Sequence, residues 1–169
     1  MSATDSGYGF IPVKRSDGMP YAGATDSFLI TPAGVAQNIF YGSVVEINAG
    51  YVQLASGTGA DATTNNLGGS GIGALGVFVG CEYINAQGQL IFSQYYPTGN
   101  ATAFVITDPN VTFQVQADGA IAQAALGHNA PLTGAQHATT SGSTTTGKSN
   151  IQLDATTATA TKSFKVIGF

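Results

Sequence analysis

Gly142 to Ser149 reads GSTTTGKS, the residue spacing of a phosphate-binding loop. In that chemistry main-chain amides wrap the phosphates, Lys148 would reach the β and γ phosphates, and Ser149 would hold a magnesium ion. The setting speaks against it. A phosphate loop follows a buried apolar strand and opens a helix whose N-terminus holds the anion, whereas here AQHATTS precedes the motif and the strand-like IQL follows it. Gly71, Gly73 and Gly76 in GIGALG match a dinucleotide-binding fingerprint, yet VFVGCEY, a strand rather than a helix, comes next. Glycines in that position allow close backbone approach or a bend in a sheet. Cys81, Glu82 and His128 could be combined as a thiol catalytic group, but a lone cysteine in an apolar strand acts as a small core residue. His128 and His137 sit in loop-like sequence without a further ligand pattern. Asn100 and Asn110 each head a glycosylation acceptor triplet and read as ordinary strand-edge residues. No catalytic, cofactor-binding or metal-ligating residue is assigned, no cofactor is expected, and the chain is not expected to be an enzyme.

Charge is the second signal. Between Glu82 and Asp108 the chain runs 25 residues without Asp, Glu, Lys or Arg, and between Asp118 and Lys148 it runs 29 more. Charged residues make up 8% of the sequence, against roughly 25% in globular proteins. A folded monomer of 17.1 kDa exposes about 7,800 Å², so its 14 charged residues, 5 basic and 9 acidic, leave roughly one charge per 550 Å². Such a surface suits permanent contact with other protein. The net charge of -4 and scattered basic residues give no footprint for nucleic acid. Cys81 is the only cysteine, so no intrachain disulfide is expected. The opening MSATDSGYGF lacks the basic and apolar regions of a secretory signal, and the longest apolar run, at 72 to 81, is half a bilayer and rich in glycine. No membrane span is expected.

The elements that would position any site are strands. In VTFQVQ, Val111, Phe113 and Val115 alternate with polar residues, the mark of a half-buried strand. TAFVIT precedes it across Asp108-Pro109-Asn110, a turn sequence that predicts a hairpin. SVVEI and YVQLA flank Asn48-Ala49-Gly50, and GVFVGCEYI and LIFSQYY flank residues 85–89, predicting two more hairpins. TKSFKVIGF reads as a last strand tied into a sheet, and the helical candidate is AIAQAALG at 120–127. Residues 55–71 and 133–147 read as polar loops, the second also compatible with a threonine-rich edge strand. Tyr83, Tyr95 and Tyr96 lie on one predicted hairpin. They could stack on sugars, although adjacent strand residues point to opposite faces and one of Tyr95 and Tyr96 should enter the core. The expected fold is all-β, an antiparallel β-sandwich. Residues 1–30 form an N-terminal arm or the first strand, and residues 31–169 form a single β-sandwich domain.

The ordered series YGFIPVKRSDGMPYAGA, GALGVFVGCEY, VTFQVQADGAI, GSTTTGKSNIQLD and FKVIGF resembles the capsid decoration, or cement, proteins of tailed phages from aquatic hosts. That resemblance implies a structural virion protein, a homotrimer on the outer surface of an icosahedral shell, with the major capsid protein as partner. Tyr8, Phe10, Ile11, Pro12, Lys14 and Arg15 are then the expected capsid contacts, apolar anchors flanked by cations. The alternative is a trimeric β-sandwich binding module, a fibre tip or lectin-like domain using the tyrosines and polar loops for host-surface glycans.

Overall fold

Alternating apolar residues in short runs, broken by turn residues, leave the chain one way to bury its side chains: as strands with one face inward. The structure, a computed structural model, describes residues 7–31, 38–55, 74–132, 142–155 and 164–169. Its strands are β1 (Ile11–Arg15), β2 (Asp26–Ile30), β3 (Ile39–Phe40), β4 (Val44–Asn48), β5 (Tyr51–Leu54) and β6 (Gly76–Ile84). There follow β7 (Leu90–Ser93), β8 (Tyr95–Tyr96), β9 (Ala101–Ile106), β10 (Val111–Gln114), β11 (Asn129–Ala130) and β12 (Phe164–Lys165). The described residues contain no α-helix. Every ladder between these strands is antiparallel.

The main sheet runs β2-β9-β6-β4-β5, with β7 continuing β4's place along the far half of β6. It curls until β2 and β5, the ends of that path, stand beside each other. Among the described residues no ladder joins them, and the sheet stays open. Its concave face holds the first core: Ile30, Val45, Val52, Phe78, Cys81, Ala103 and Val105, closed at one end by Ile39 and Tyr96 of the small β3-β8 ladder. A second core lies on the convex face of β4 and the first half of β6. There Val44 and Val77 meet Phe10, Ala130, Leu132, Ile151, Leu153 and Val166. The covering layer consists of residues 7–10, the β1-β10 and β11-β12 ladders, and residues 148–153.

Two predicted hairpins form. β4 and β5 pair with Asn48 opposite Tyr51, so the loop is two residues, Ala49 and Gly50, with φ of 48° and 85°. Positive φ at both positions marks the tight turn whose twist matches the flanking strands. β6 and β7 pair around 85–89, where the Asn85 side-chain oxygen accepts bonds from the amides of Gln87 (3.0 Å) and Gln89 (2.9 Å). The third does not form. The turn itself is present, with the Val111 amide donating to the Asp108 carbonyl at 3.2 Å. But both edges of β9 are occupied, by β2 and β6, so β10 leaves the main sheet and pairs with β1 instead.

Period-two reading also misses a bulge in β6. Phe78 opposes Val105 while Gly80 opposes Phe104, so Val79 is an extra residue, and Phe78 and Cys81, three apart, both point into the first core. Gly80 has φ of 151° and a Cβ there would stand 3.0 Å from the Ser93 carbonyl oxygen, the requirement a bulge glycine meets. The helical candidate at 120–127 condenses to one 3-10 turn at Gln123–Ala125 with no side-chain cap. The terminal run is tied in only partly: Phe164 and Lys165 pair with Ala130 and Asn129 and Val166 is buried, while Ile167 and Phe169 are exposed. Most of the predicted loop at 55–71, and residues 133–141 of the second, lie outside the described residues.

Candidate functional site

The phosphate-loop look-alike folds as a turn that uses its own amides. Ser143 donates to the Lys148 carbonyl (3.0 Å), Gly147 to the Ser143 carbonyl (2.7 Å), and Ser149 to the Tyr41 carbonyl (2.9 Å). The amides of Thr146 and Lys148 face the side-chain oxygens of Ser143 and Thr146, both at 3.4 Å. Ser149 is buried, its hydroxyl accepting from the Ile151 amide at 3.1 Å. Gly142 lies against the Phe40 ring, which a Cβ would strike. The loop thus fastens residues 142–149 to Tyr41, and Lys148 projects into solvent. No helix follows among the described residues to hold an anion.

The other sequence candidates disperse. Gly76 opens β6, and a Cβ there would overlap the Ile106 carbonyl oxygen, so its role is close strand approach; Gly71 and Gly73 lie outside the described residues. Cys81 is buried with its thiol 3.5 Å from the Tyr95 carbonyl, and burial pushes its pKa up to about 12, the opposite of an activated nucleophile. Its neighbour Glu82 points to the opposite face of β6, and His128 is exposed in the turn after the 3-10 segment. His137 lies outside the described residues, among which no group of three or more His, Cys, Asp or Glu gathers. Tyr96 is in the first core, its hydroxyl donating to the Gly99 carbonyl at 2.6 Å, and burial raises its pKa, with Cys81 adding to the effect. Tyr95 stacks on Phe40 at 5.7 Å, and Tyr83 packs half-buried against the first core. These three rings do not make an open platform for sugars.

The six candidate capsid contacts divide. Phe10 is 2% exposed and lies at the centre of the second core, with ring contacts to Phe113 (6.0 Å) and Phe164 (4.8 Å). It is a core side chain of this chain. Tyr8, Ile11 and Pro12 are half-buried, and Lys14 and Arg15 are exposed. Arg15 sits 3.5 Å from Asp17 and 3.7 Å from Asp108, partly neutralised at the surface.

One feature of the surface escaped sequence reading. On the convex face of the main sheet, Leu29, Thr102, Glu82 and Phe92 form a row across β2, β9, β6 and β7, and Ile84 and Leu90 pair in the next row. Leu29, Ile84, Leu90 and Phe92 are 60, 69, 57 and 69% exposed. The signal was present: Phe28-Leu29-Ile30 and Leu90-Ile91-Phe92 are apolar at both strand parities, which a sheet covered on one face does not need. Large apolar side chains grouped on an open surface mark a place where protein or another apolar body binds. Comparison of the chain with family models, with curated proteins and with solved structures finds no match.

Proposed function

We propose that this chain is a structural virion protein, a capsid decoration protein that binds the outer surface of an icosahedral phage shell as a trimeric β-sandwich and stabilises it. The observation that carries the reading is the bare half of the convex face, where four large apolar side chains stand open in a chain with only 14 charged residues. A protein living in permanent assembly needs interfaces and little self-repulsion, which low charge provides. It needs no catalytic machinery; here the GSTTTGKS amides bond within the chain and Cys81 is buried. The ordered sequence series quoted above supports the shell as partner.

Within this reading the exposed part of the N-terminal stretch faces the shell. Lys14 and Arg15, with Val13 and Met19 open beside them, offer cations on an apolar ground, while Phe10 anchors the stretch from inside. The test is binding of purified protein to shells lacking it. Saturable decoration, weakened when Lys14 and Arg15 are both changed to Ala, is the expected result; no binding at micromolar concentration would refute the reading.

A further inference from the structure

We infer that β7 is a docking edge on which a second copy of this chain pairs its own β7 antiparallel, joining two main sheets into one. The inference stands apart from the proposed function. Three strands of the main sheet, β2, β5 and β7, each carry a single ladder. β2 and β5 stand beside each other, which leaves β7 as the outward edge, with Leu90 57% and Phe92 69% exposed.

The hairpin ladder shows which backbone groups of β7 remain unbonded. The Asn85 amide donates to the Gln89 carbonyl at 2.9 Å, so these two form a bonded pair, and bonded pairs alternate along an antiparallel ladder. Ile91 and Ser93 therefore bond Tyr83 and Cys81, while the amides and carbonyls of Leu90 and Phe92 point away from β6. Among the described residues those four groups have no backbone partner. Edge strands ordinarily resist pairing by carrying a charge, a proline or a bulge. Leu90-Ile91-Phe92-Ser93 carries none of these, and the loop before it is fixed by the bonds to Asn85. An unprotected edge of this kind takes up an extended strand by main-chain bonding.

The sequence of the edge selects its own copy. Gln89-Leu90-Ile91-Phe92-Ser93 has the same polarity read in either direction, polar outside and apolar within, centred on Ile91. Antiparallel pairing about Ile91 sets Leu90 against the partner's Phe92, Phe92 against the partner's Leu90, and Gln89 against the partner's Ser93. The first two of these pairs exchange their edge-facing bonds, and the polar pair flanks them. On the convex face the row from Glu82 to Phe92 continues into the partner's Leu90 and the partner's Ile84, so exposed apolar side chains cover one another. Charge favours this arrangement over a stack of the two bare faces, which would press carboxylate toward carboxylate in an apolar contact. Side by side, the two Glu82 residues stand three strand spacings apart, about 14 Å, beyond the roughly 8 Å screening length. The contact is twofold and cannot close a trimer, so in the trimeric reading it ties one trimer to the next.

Sedimentation velocity at micromolar concentration, read in multiples of 17.1 kDa, should show Phe92→Lys at half the mass of the unaltered protein, because the lysine charges the edge. Phe92 is exposed, so the thermal midpoint of the dilute variant should stay unchanged. Register is read by cross-linking with oxidised glutathione in a chain carrying Cys81→Ala. Position 91 meets its own copy at a Cα separation of about 4.5 Å, so Ile91→Cys should give a covalent dimer. Leu90→Cys, diagonal to itself at about 7–8 Å, should stay single alone and link to Phe92→Cys in an equimolar mixture. Should Ile91→Cys not fold, the two exposed positions carry the test alone. Equal masses for Phe92→Lys and the unaltered protein, a folded Ile91→Cys that stays single, or a Leu90→Cys that links to itself or ignores Phe92→Cys would each overturn the inference. Loss of shell binding in Phe92→Lys without a change of mass would likewise overturn it, giving the edge to the shell protein. Pairing in a protein that never decorates shells counts against the proposed function alone.

Discussion

The convex face of the main sheet has two halves that share strands and differ in fate. In one, Ile106, Val77 and Val44 line up across β9, β6 and β4 and are buried under the covering layer. In the other, some five residues further along β6 and four back along β9, Glu82 and Thr102 sit between the open side chains of Leu29 and Phe92. Strand type, pleat and side-chain direction are the same. The difference is whether distant segments return to cover the strand, and among the described residues they return over one half only. Apolar side chains on a strand therefore announce that something must cover them, without saying whether it comes from the same chain.

The sharpest way to break the comparison is to truncate one aromatic in each half. Phe10→Ala removes a ring from the middle of the covering layer and should lower unfolding free energy by about 3–5 kcal/mol in denaturant titration. Phe92→Ala, measured on dilute protein, should change it by no more than about 0.5 kcal/mol. Equal effects would mean that the bare half is not bare. Gly76→Ala comes next, since its new Cβ meets the Ile106 backbone beneath the covered half, and a loss of about 1–3 kcal/mol is expected from forced strand separation.

Cys81 sits on the concave side where the halves meet and reports on opening there. With its pKa near 12 instead of 9.0, the thiolate near neutral pH is roughly a thousandfold scarcer, so a thiol reagent should react only after unfolding. The folded chain keeps this proton between pH 9 and 12 while the unfolded chain loses it, so stability should fall across that window. Cys81→Ala should flatten that fall, seen as a smaller drop in Tm. The smallest effect belongs to a residue outside both halves: Lys148→Ala should shift stability by less than about 0.5 kcal/mol, and ATP should leave the Tm of either protein unchanged.

The all-β class, the β4-β5 and β6-β7 hairpins and the inward residues of β10 were legible because they depend on local periodicity and turn chemistry. The partner of β10 was not: Asp108-Pro109-Asn110 specifies a reversal, but which edge is vacant depends on β2 and β6, which sequence alone does not place beside β9. The N-terminal group was legible as apolar and cationic, yet Phe10 goes inside because Phe113 and Phe164, more than a hundred residues away, build its pocket. Leu29, Leu90 and Phe92 were overlooked for a related reason. Strands apolar on both faces look the same whether the second cover is intramolecular or not.

The extra residue Val79 acts as a phase shifter for everything downstream on β6. Were β6 to continue from Phe78 in strict alternation with Val79 in register, Glu82 would enter the first core and Cys81 and Tyr83 would turn outward. A single bulged residue thus keeps the one carboxylate of that stretch outside the first core. Deleting Val79 would leave Cys81 inside and Glu82 outside, because Phe78 and Cys81 would then stand two residues apart, whereas flattening the bulge with Val79 in place would exchange the two sides of the hairpin, trading an apolar exterior for a frustrated core. The character of this surface is held in a backbone irregularity as much as in the kinds of its residues.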